Sequence, residues 1–164
     1  MTALIAQSTT VHTSPLGPMK ATWTERGLRE LRWEKSSHVD EKGLTGHDVP
    51  NQALLLETRL TEFFESGRSS FSEVVLDEEG WTEFTLRVYR QCRKIEPGQT
   101  LTYKQLAELA GSPNASRAVG AAMSRNRVLL VIPCHRVLSS NGQLTGFSAP
   151  GGLQTKRYLL DLES

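Results

Sequence analysis

Cys134 stands between Pro133 and His135 at the end of an apolar run, Val128 to Ile132, and these are the residues with which the chain can do covalent chemistry. A thiolate attacks an electrophilic carbon and a thiol does not, and histidine is the side chain that most often takes the proton. Five apolar residues in a row read as a short buried strand, and the proline after them ends its ladder, so Cys134 is expected at a strand end. Neighbouring side chains on a strand point to opposite faces, which sets His135 away from the thiol. The second cysteine, Cys92, falls in the helical apolar pattern Trp81, Phe84, Val88, Cys92, Ile95 and reads as a packed core thiol. Two cysteines make no disulfide framework. No Cys-x-x-Cys or His-x-x-x-His spacing occurs, and His12, His38, His47 and His135 are scattered, so no metal site is expected.

The elements that must hold this thiol are legible in part. Between Val11 and Trp33, turn signals at Leu16-Gly17-Pro18 and Glu25-Arg26-Gly27 separate short apolar stretches, which predicts two or three antiparallel strands. Ser36 to Gly46 reads as a polar loop. Pro50 suits the first turn of a helix, and Ala53, Leu56, Leu60, Phe63 and Phe64 recur at three and four up to Gly67. A short strand is expected at Phe71 to Leu76, then an acidic turn, Asp77-Glu78-Glu79-Gly80. A helix through Trp81 and Cys92 follows, broken at Pro97-Gly98. The composition shift near Gly80 places a boundary between residues 1–79 and 80–164.

With 38% hydrophobic and 23% charged residues the chain reads as an ordinary soluble globular protein. The apolar run Ala3 to Ala6 has no basic residue before it, and no eighteen apolar residues run together; the expectation is an intracellular protein, cytoplasmic in a prokaryote, with neither signal peptide nor membrane span. The net charge of +1 conceals an asymmetry. Residues 24–86 carry 7 Lys and Arg against 14 Asp and Glu, whereas residues 87–136 carry 9 against 2. Positive charge gathered around the cysteine is the footprint expected for a polyanion such as nucleic acid.

Inside the basic half, Thr102-Tyr103-Lys104-Gln105 has the form of a capping box, so a helix is expected from Tyr103 to about Ala110. Gly111-Ser112-Pro113-Asn114 is a tight turn, Asn114 reads as an N-cap, and Ala115 to Ser124 form a second helix of small residues with Arg117 breaking its apolar face. Two short helices joined by such a turn describe a helix-turn-helix, whose second helix docks on DNA. Ser139-Ser140-Asn141-Gly142 is a hairpin-type turn, and Gly146 to Gly152 a glycine-rich loop entering a last helix, Leu153 to Leu162. That loop lacks any phosphate-binding glycine-lysine spacing.

Tyr103-Lys104-Gln105-Leu106-Ala107, Ser116-Arg117-Ala118-Val119-Gly120, Asn126 and Pro133-Cys134-His135-Arg136-Val137, in this order and spacing, resemble the O6-alkylguanine-DNA alkyltransferases. Thr13-Ser14-Pro15-Leu16-Gly17 through Gly27-Leu28 is similar to that family's N-terminal sheet. The resemblance implies an α+β protein, with an N-terminal ribonuclease-H-like antiparallel sheet and a helix, then a helical domain with a winged helix-turn-helix. It implies no cofactor. Its partner would be duplex DNA carrying O6-alkylguanine, from which the alkyl group passes irreversibly to Cys134 in a single turnover, with O4-alkylthymine a further candidate substrate. A monomer is expected, and cooperative association on DNA stays open.

By the same resemblance Cys134 is nucleophile and acceptor, His135 its base through a bridging water, and Glu163 the carboxylate that orients His135. Asp161 is the rival carboxylate, and the spacing from Gly151-Gly152-Leu153 favours Glu163. Tyr103 would donate to N3 of the leaving guanine, and Asn126 would tie the turn before the cysteine. Arg117 would fill the space a flipped base vacates, amid DNA contacts from Ala115, Ser116, Ala118, Gly120, Arg125, Arg127 and Arg136. Phe147 and Ser148, with Tyr103, would line the base pocket. Arg127 stands where many members have proline, Phe147 where they have tyrosine, and the zinc ligands of some members are missing.

Two other readings are compatible with a helix-turn-helix. One is a non-catalytic sensor of alkylated bases that recruits other repair factors, although family relatives of that kind lack the cysteine. The other is a sequence-specific regulator with Cys134 as a structural thiol, which has little need of a histidine and a carboxylate behind it.

Overall fold

The computed structural model describes residues 7–34 and 50–164. The expected loop at Ser36 to Gly46, the apolar run at Ala3 to Ala6, His38 and His47 lie outside the described residues. No described helix is long and apolar enough to cross a membrane. No cluster of three or more metal-binding side chains occurs among the described residues.

Three strands open the chain: β1 (Ser8–His12), β2 (Met19–Thr24) and β3 (Gly27–Trp33), antiparallel in the order β1-β2-β3. In β2 the alternation is plain, with Met19, Ala21 and Trp23 buried and Lys20 exposed between them, the period-two pattern of a sheet covered on one face. Helix α1 (Pro50–Ser66) turns Ala53, Leu56, Leu60 and Phe63 toward the core at helical spacing. It ends at Gly67, whose φ of 69° is natural for glycine and whose N–H closes on the Phe63 carbonyl at 2.7 Å. A Cβ at Gly67 would fall on the carbonyl of Leu162 at the far end of the chain.

The expected strand at Phe71 to Leu76 is absent. Val74 N–H turns back to the Phe71 carbonyl at 3.0 Å, and only Leu76 bridges to β3. The free edge of β3 is shared: Leu28 exchanges bonds with Val75 and Asp77, and Leu31 with Arg127 and Leu129. Neither visitor has room for a full strand.

Past Gly80 come α2 (Glu83–Cys92), the two-residue β4 (Leu101–Thr102), α3 (Tyr103–Leu109) and α4 (Ser116–Ser124). Helix α2 starts where the Thr82 hydroxyl accepts from Thr85 N–H at 3.1 Å, and it buries Thr85, Val88, Tyr89 and Cys92. The capping box at Thr102 and Gln105 is formed in both directions. Asn114 does not cap α4; the cap position is Ala115, with no side-chain bond, and Ala115 N–H is instead held by the Ser112 carbonyl at 2.9 Å. The connecting turn satisfies the helix start through its own backbone. Tyr89 locks α2 to α4 by donating its hydroxyl to the Ala122 carbonyl at 2.6 Å, and burial pushes that phenol up to about 12.

The chain finishes with β5 (Val137–Leu138), paired in parallel with β4, and α5 (Leu153–Glu163). One buried apolar cluster runs from Met19 and Trp23 through Leu56 and Phe63 to Val88, Ile132 and Leu159, so both sides of Gly80 share a core. At about 1.5–3 kcal/mol for each large side chain taken from water, this shared burial is what fixes α1 and β3 against the segment that carries Cys134.

Candidate active site

The segment before Cys134 is not a strand. Val131 N–H bonds back to the Leu129 carbonyl at 2.8 Å across Leu130, whose φ is 69°, and Ile132 N–H reaches the Val128 carbonyl at 3.0 Å. Such a turn around an L-residue with positive φ is rare and strained. It persists because Asn126 holds both ends: its Oδ1 accepts from Val128 N–H at 2.9 Å and its Nδ2 donates to the Ile132 carbonyl at 2.9 Å. Five apolar residues are buried here as a folded loop, since the Asn126 amide bonds add to the two backbone bonds with Leu31 and take the place of the longer ladder a strand would have needed. Cys134 then opens a single 3-10 turn, Cys134–Arg136, and so does not sit at a strand end.

Behind it lies a buried polar cluster. His135, Arg136 and Glu163 are each less than 5% exposed. The His135 Nε2 lies 2.7 Å from Glu163 Oε1, while Arg136 donates through Nε and Nη2 to the same carboxylate and through Nη1 to the Ile95 carbonyl at 2.7 Å. Burial pushes Glu163 up, but the bonds from His135 and Arg136 outweigh it and hold the carboxyl below its ordinary range. An ionised carboxylate only accepts, so Nε2 carries the imidazole proton. Nδ1, buried and with no hydrogen-bond partner among the described residues, is left as a lone pair. Burial also lowers the His135 pKa, opposed by Glu163, so the ring is neutral at pH 7 and able to take a proton.

Burial raises the Cys134 pKa, and the Asn126 side chain, the Lys156 ammonium and nearby backbone N–H groups draw it back only in part. The thiol therefore needs a base to become a nucleophile. The ring of Phe63, from α1, stands edge-on to His135 at 6.4 Å and walls the imidazole from the N-terminal side.

Residues 83–164 match the family model described as 6-O-methylguanine DNA methyltransferase, DNA binding domain. Over 151 residues the chain is 38% identical to the methylated-DNA–protein-cysteine methyltransferase of Methanosarcina acetivorans, covering 92% of this chain and 94% of that one. The chain belongs to the methylated-DNA–protein-cysteine methyltransferase family. Its fold superposes on the crystal structure of Mycobacterium tuberculosis O6-methylguanine methyltransferase with a TM-score of 0.77 at 29% identity, covering 96% and 93% of the two chains. A structure of Mycobacterium tuberculosis OGT in complex with DNA matches with a TM-score of 0.76 at 32% identity, covering 94% and 91%.

In this member of the methyltransferase family the helix-turn-helix is α3 and α4, and α4 presents Arg117, Ala118 and Ala121 to solvent, with Ala115, Ser116 and Gly120 half-buried. Tyr103, Ser116, Arg117 and Gly120 line one side of a cleft of about 550 Å³, whose other wall is Ser139, Ser140, Thr145 and Gly146. The Tyr103 hydroxyl lies 3.2 Å from that of Thr145. Phe147 is half-buried against the core. Ser148 is exposed and lines, with Arg125 and Arg127, a neighbouring depression that meets this cleft at Ser124, so the structure does not gather Tyr103 and Ser148 into one cavity.

Arg136 corrects the sequence reading. It is 4% exposed and engaged by Glu163 and Ile95, so it cannot reach a phosphate; its guanidinium is spent on the carboxylate that holds His135. Asp161 is exposed, and Glu163 is the carboxylate in contact with the histidine. Lys156 escaped sequence reasoning altogether. It is fully buried, and its Nζ donates to the Val137 and Thr145 carbonyls at 2.8 and 2.9 Å, tying the segment after Cys134 to α5. The signal was present: Lys156, Leu159 and Glu163 fall at helical spacing on one face, and a lysine on a buried stripe must find carbonyls or carboxylates.

Proposed function

We propose that this protein repairs DNA by direct reversal, taking the alkyl group of O6-alkylguanine in duplex DNA onto Cys134 irreversibly, one group per molecule. The observation that carries this reading is the buried His135, fixed at Nε2 by Glu163 and, among the described residues, unpaired at Nδ1, adjacent in the chain to a buried thiol whose pKa is raised.

The Cys134 proton passes through a bridging water to His135 Nδ1. The thiolate then attacks the alkyl carbon, an S–C bond forms, and the C–O6 bond breaks with its electron pair left on the guanine. Tyr103 donates a proton at N3, so guanine leaves neutral, and the imidazolium returns its proton to the phenolate side through solvent. Glu163 keeps the imidazole in the useful tautomer, and Arg136 keeps Glu163 ionised. Arg117 on α4 fills the stack after the base turns out, with Ala115, Ser116, Ala118 and Gly120 allowing close approach of the helix to DNA. Arg125 and Arg127 supply phosphate contacts, and Phe147 stacks on the base.

A sensor of alkylated bases would need neither a thiol nor a histidine-carboxylate pair behind it. Incubation with a duplex bearing O6-methylguanine, followed by intact mass measurement, is expected to show a single added methyl that Cys134→Ala lacks. Duplex binding with no mass gain would sink the transfer reading in favour of the sensor. We read the protein further as intracellular, cytoplasmic in a prokaryote, as acting as a monomer, and as divided near residue 80 into a sheet part and a DNA-binding part. Sedimentation on duplexes of increasing length checks for cooperative association.

A further inference from the structure

We propose that the N-terminal sheet contacts DNA directly, through Arg32, in a phosphate seat of about 300 Å³ that β3 forms with the Arg125–Arg127 turn. This rests on the DNA-repair reading above and adds to it a contact from outside residues 83–164, the part that the family model covers.

The geometry follows from backbone pairing. Leu31 N–H donates to the Arg127 carbonyl at 2.8 Å, and Leu129 N–H donates to the Leu31 carbonyl at 3.0 Å. Leu31 and Val128 are fully buried across this bridge, so the alternation of side chains sends their neighbours Arg32 and Arg127 outward, where both are exposed. Arg125 joins them from the end of α4. Three guanidinium groups therefore line one cleft, with the hydroxyl-bearing Ser124 and Ser148 and, among the described residues, no carboxylate.

Charge distinguishes this cleft from its neighbour. A depression of about 430 Å³ also uses Arg125 and Arg127, but it takes in the carboxylates Asp77 and Glu79 beside Arg29 and so is less positive. Among the described residues the carboxylate paired with Arg32 is Glu30, on its own strand, and the Arg32 and Glu30 side chains are 55% and 24% exposed. Solvent-exposed pairs of this kind contribute little and yield readily to a second anion. Among the described residues neither Arg125 nor Arg127 lies within ion-pair distance of a carboxylate. Guanidinium forks with flanking hydroxyls suit a phosphodiester. The occupant is a DNA backbone phosphate because Ser124 belongs both to this cleft and to the one lined by Tyr103 and Arg117, which makes the seat continuous with the helix-turn-helix surface.

The test is the salt dependence of binding to an unmodified duplex, by fluorescence anisotropy on the full chain. Each neutralised phosphate contributes about 0.9 to the slope of log affinity against log salt. Arg32→Ala and Arg127→Ala are each expected to lower the slope by roughly one and the double variant by roughly two, with Arg32→Glu weakening binding further than Arg32→Ala. Arg68→Ala, an exposed arginine elsewhere, keeps the wild-type slope. A wild-type slope in the double variant, with its thermal unfolding midpoint retained, overturns the phosphate seat. Failure of wild-type protein to accept a methyl group from alkylated duplex would instead count against the repair reading, and the two failures are separately visible.

Discussion

Arg136 and Glu163 meet through three N–H···O contacts, at 2.6, 3.0 and 3.1 Å, deep enough that neither is more than 4% exposed. The pair holds the carboxylate that His135 leans on, and breaking it would leave Glu163 buried and charged with a neutral imidazole but no cation beside it. Arg136→Ala is therefore expected to cost about 3–5 kcal/mol in a urea unfolding experiment. Arg136→Lys should recover only part, because an ammonium cannot span Glu163 and the Ile95 carbonyl as the guanidinium does. A loss no larger than that of a surface arginine would contradict the role assigned to it.

The same cluster sets an acid limit on stability. Burial holds the His135 pKa below its ordinary 6.5, so below pH 6.5 the unfolded chain takes up a proton that the folded chain refuses, and stability drains as pH falls toward the folded value. Glu163, held below 4.5, adds stability that is present above 4.5 and lost as pH falls through its folded value. Thermal unfolding midpoints of the wild type should decline on acidification below pH 6.5 and again below 4.5. In His135→Gln the first decline should shrink. An unchanged profile in that variant would show that another group governs it.

Arg117 is exposed on α4, on the rim of the cleft that also holds Tyr103. If it replaces a flipped base in the stack, Arg117→Ala should slow methyl transfer from duplex by at least about tenfold, since unstacking costs a few kcal/mol. Transfer from the free base O6-methylguanine should suffer much less. Equal losses on both substrates would remove the intercalating role.

Tyr103→Phe removes a hydroxyl that lies near Thr145 and leaves the ring in place. Stopped transfer assays should show a rate lower by roughly a hundredfold, the usual size of a lost proton donor, with affinity for duplex largely retained. A wild-type rate would exclude the tyrosine as donor to the guanine.

Leu130 offers a test of the turn itself. With φ at 69° an L-residue is strained by about 1–2 kcal/mol and glycine is not. Both Leu130→Ala and Leu130→Gly lose a buried side chain, yet Leu130→Gly should come out about 1 kcal/mol more stable than Leu130→Ala. Elsewhere in a folded chain glycine is ordinarily the weaker of the two, so the reverse order would argue against a positive φ there.

The three strands, α1, the capping box at Thr102 and the last helix were readable because each carries a local signal: alternation, helical spacing or a reciprocal cap. The turn at 128–132 was not. Its apolar residues look like a strand, and what folds it is a pair of amide bonds from Asn126 to backbone atoms two and six residues on, which no periodicity expresses. Arg136 misled for a related reason. A basic residue in a basic half suggests DNA, and only the return of α5 from the far end of the chain brings the carboxylate that claims it. The missing strand at 71–76 has the same origin, since the edge of β3 was already shared with residues from beyond residue 120. Cys134 and His135 stood out by residue type and Glu163 by resemblance to a family; their mutual arrangement is a product of that return.

Gly67 closes α1 against Leu162, the residue before the carboxylate that orients His135. A single added carbon there would push on the end of α5 and so on the hydrogen bond between Glu163 and His135. Gly67 belongs to the half of the chain that bears none of the proposed chemistry, yet it is a vulnerable mutational target: on the proposed mechanism, a one-letter change in the gene at that codon would impair repair without altering any residue proposed to touch DNA.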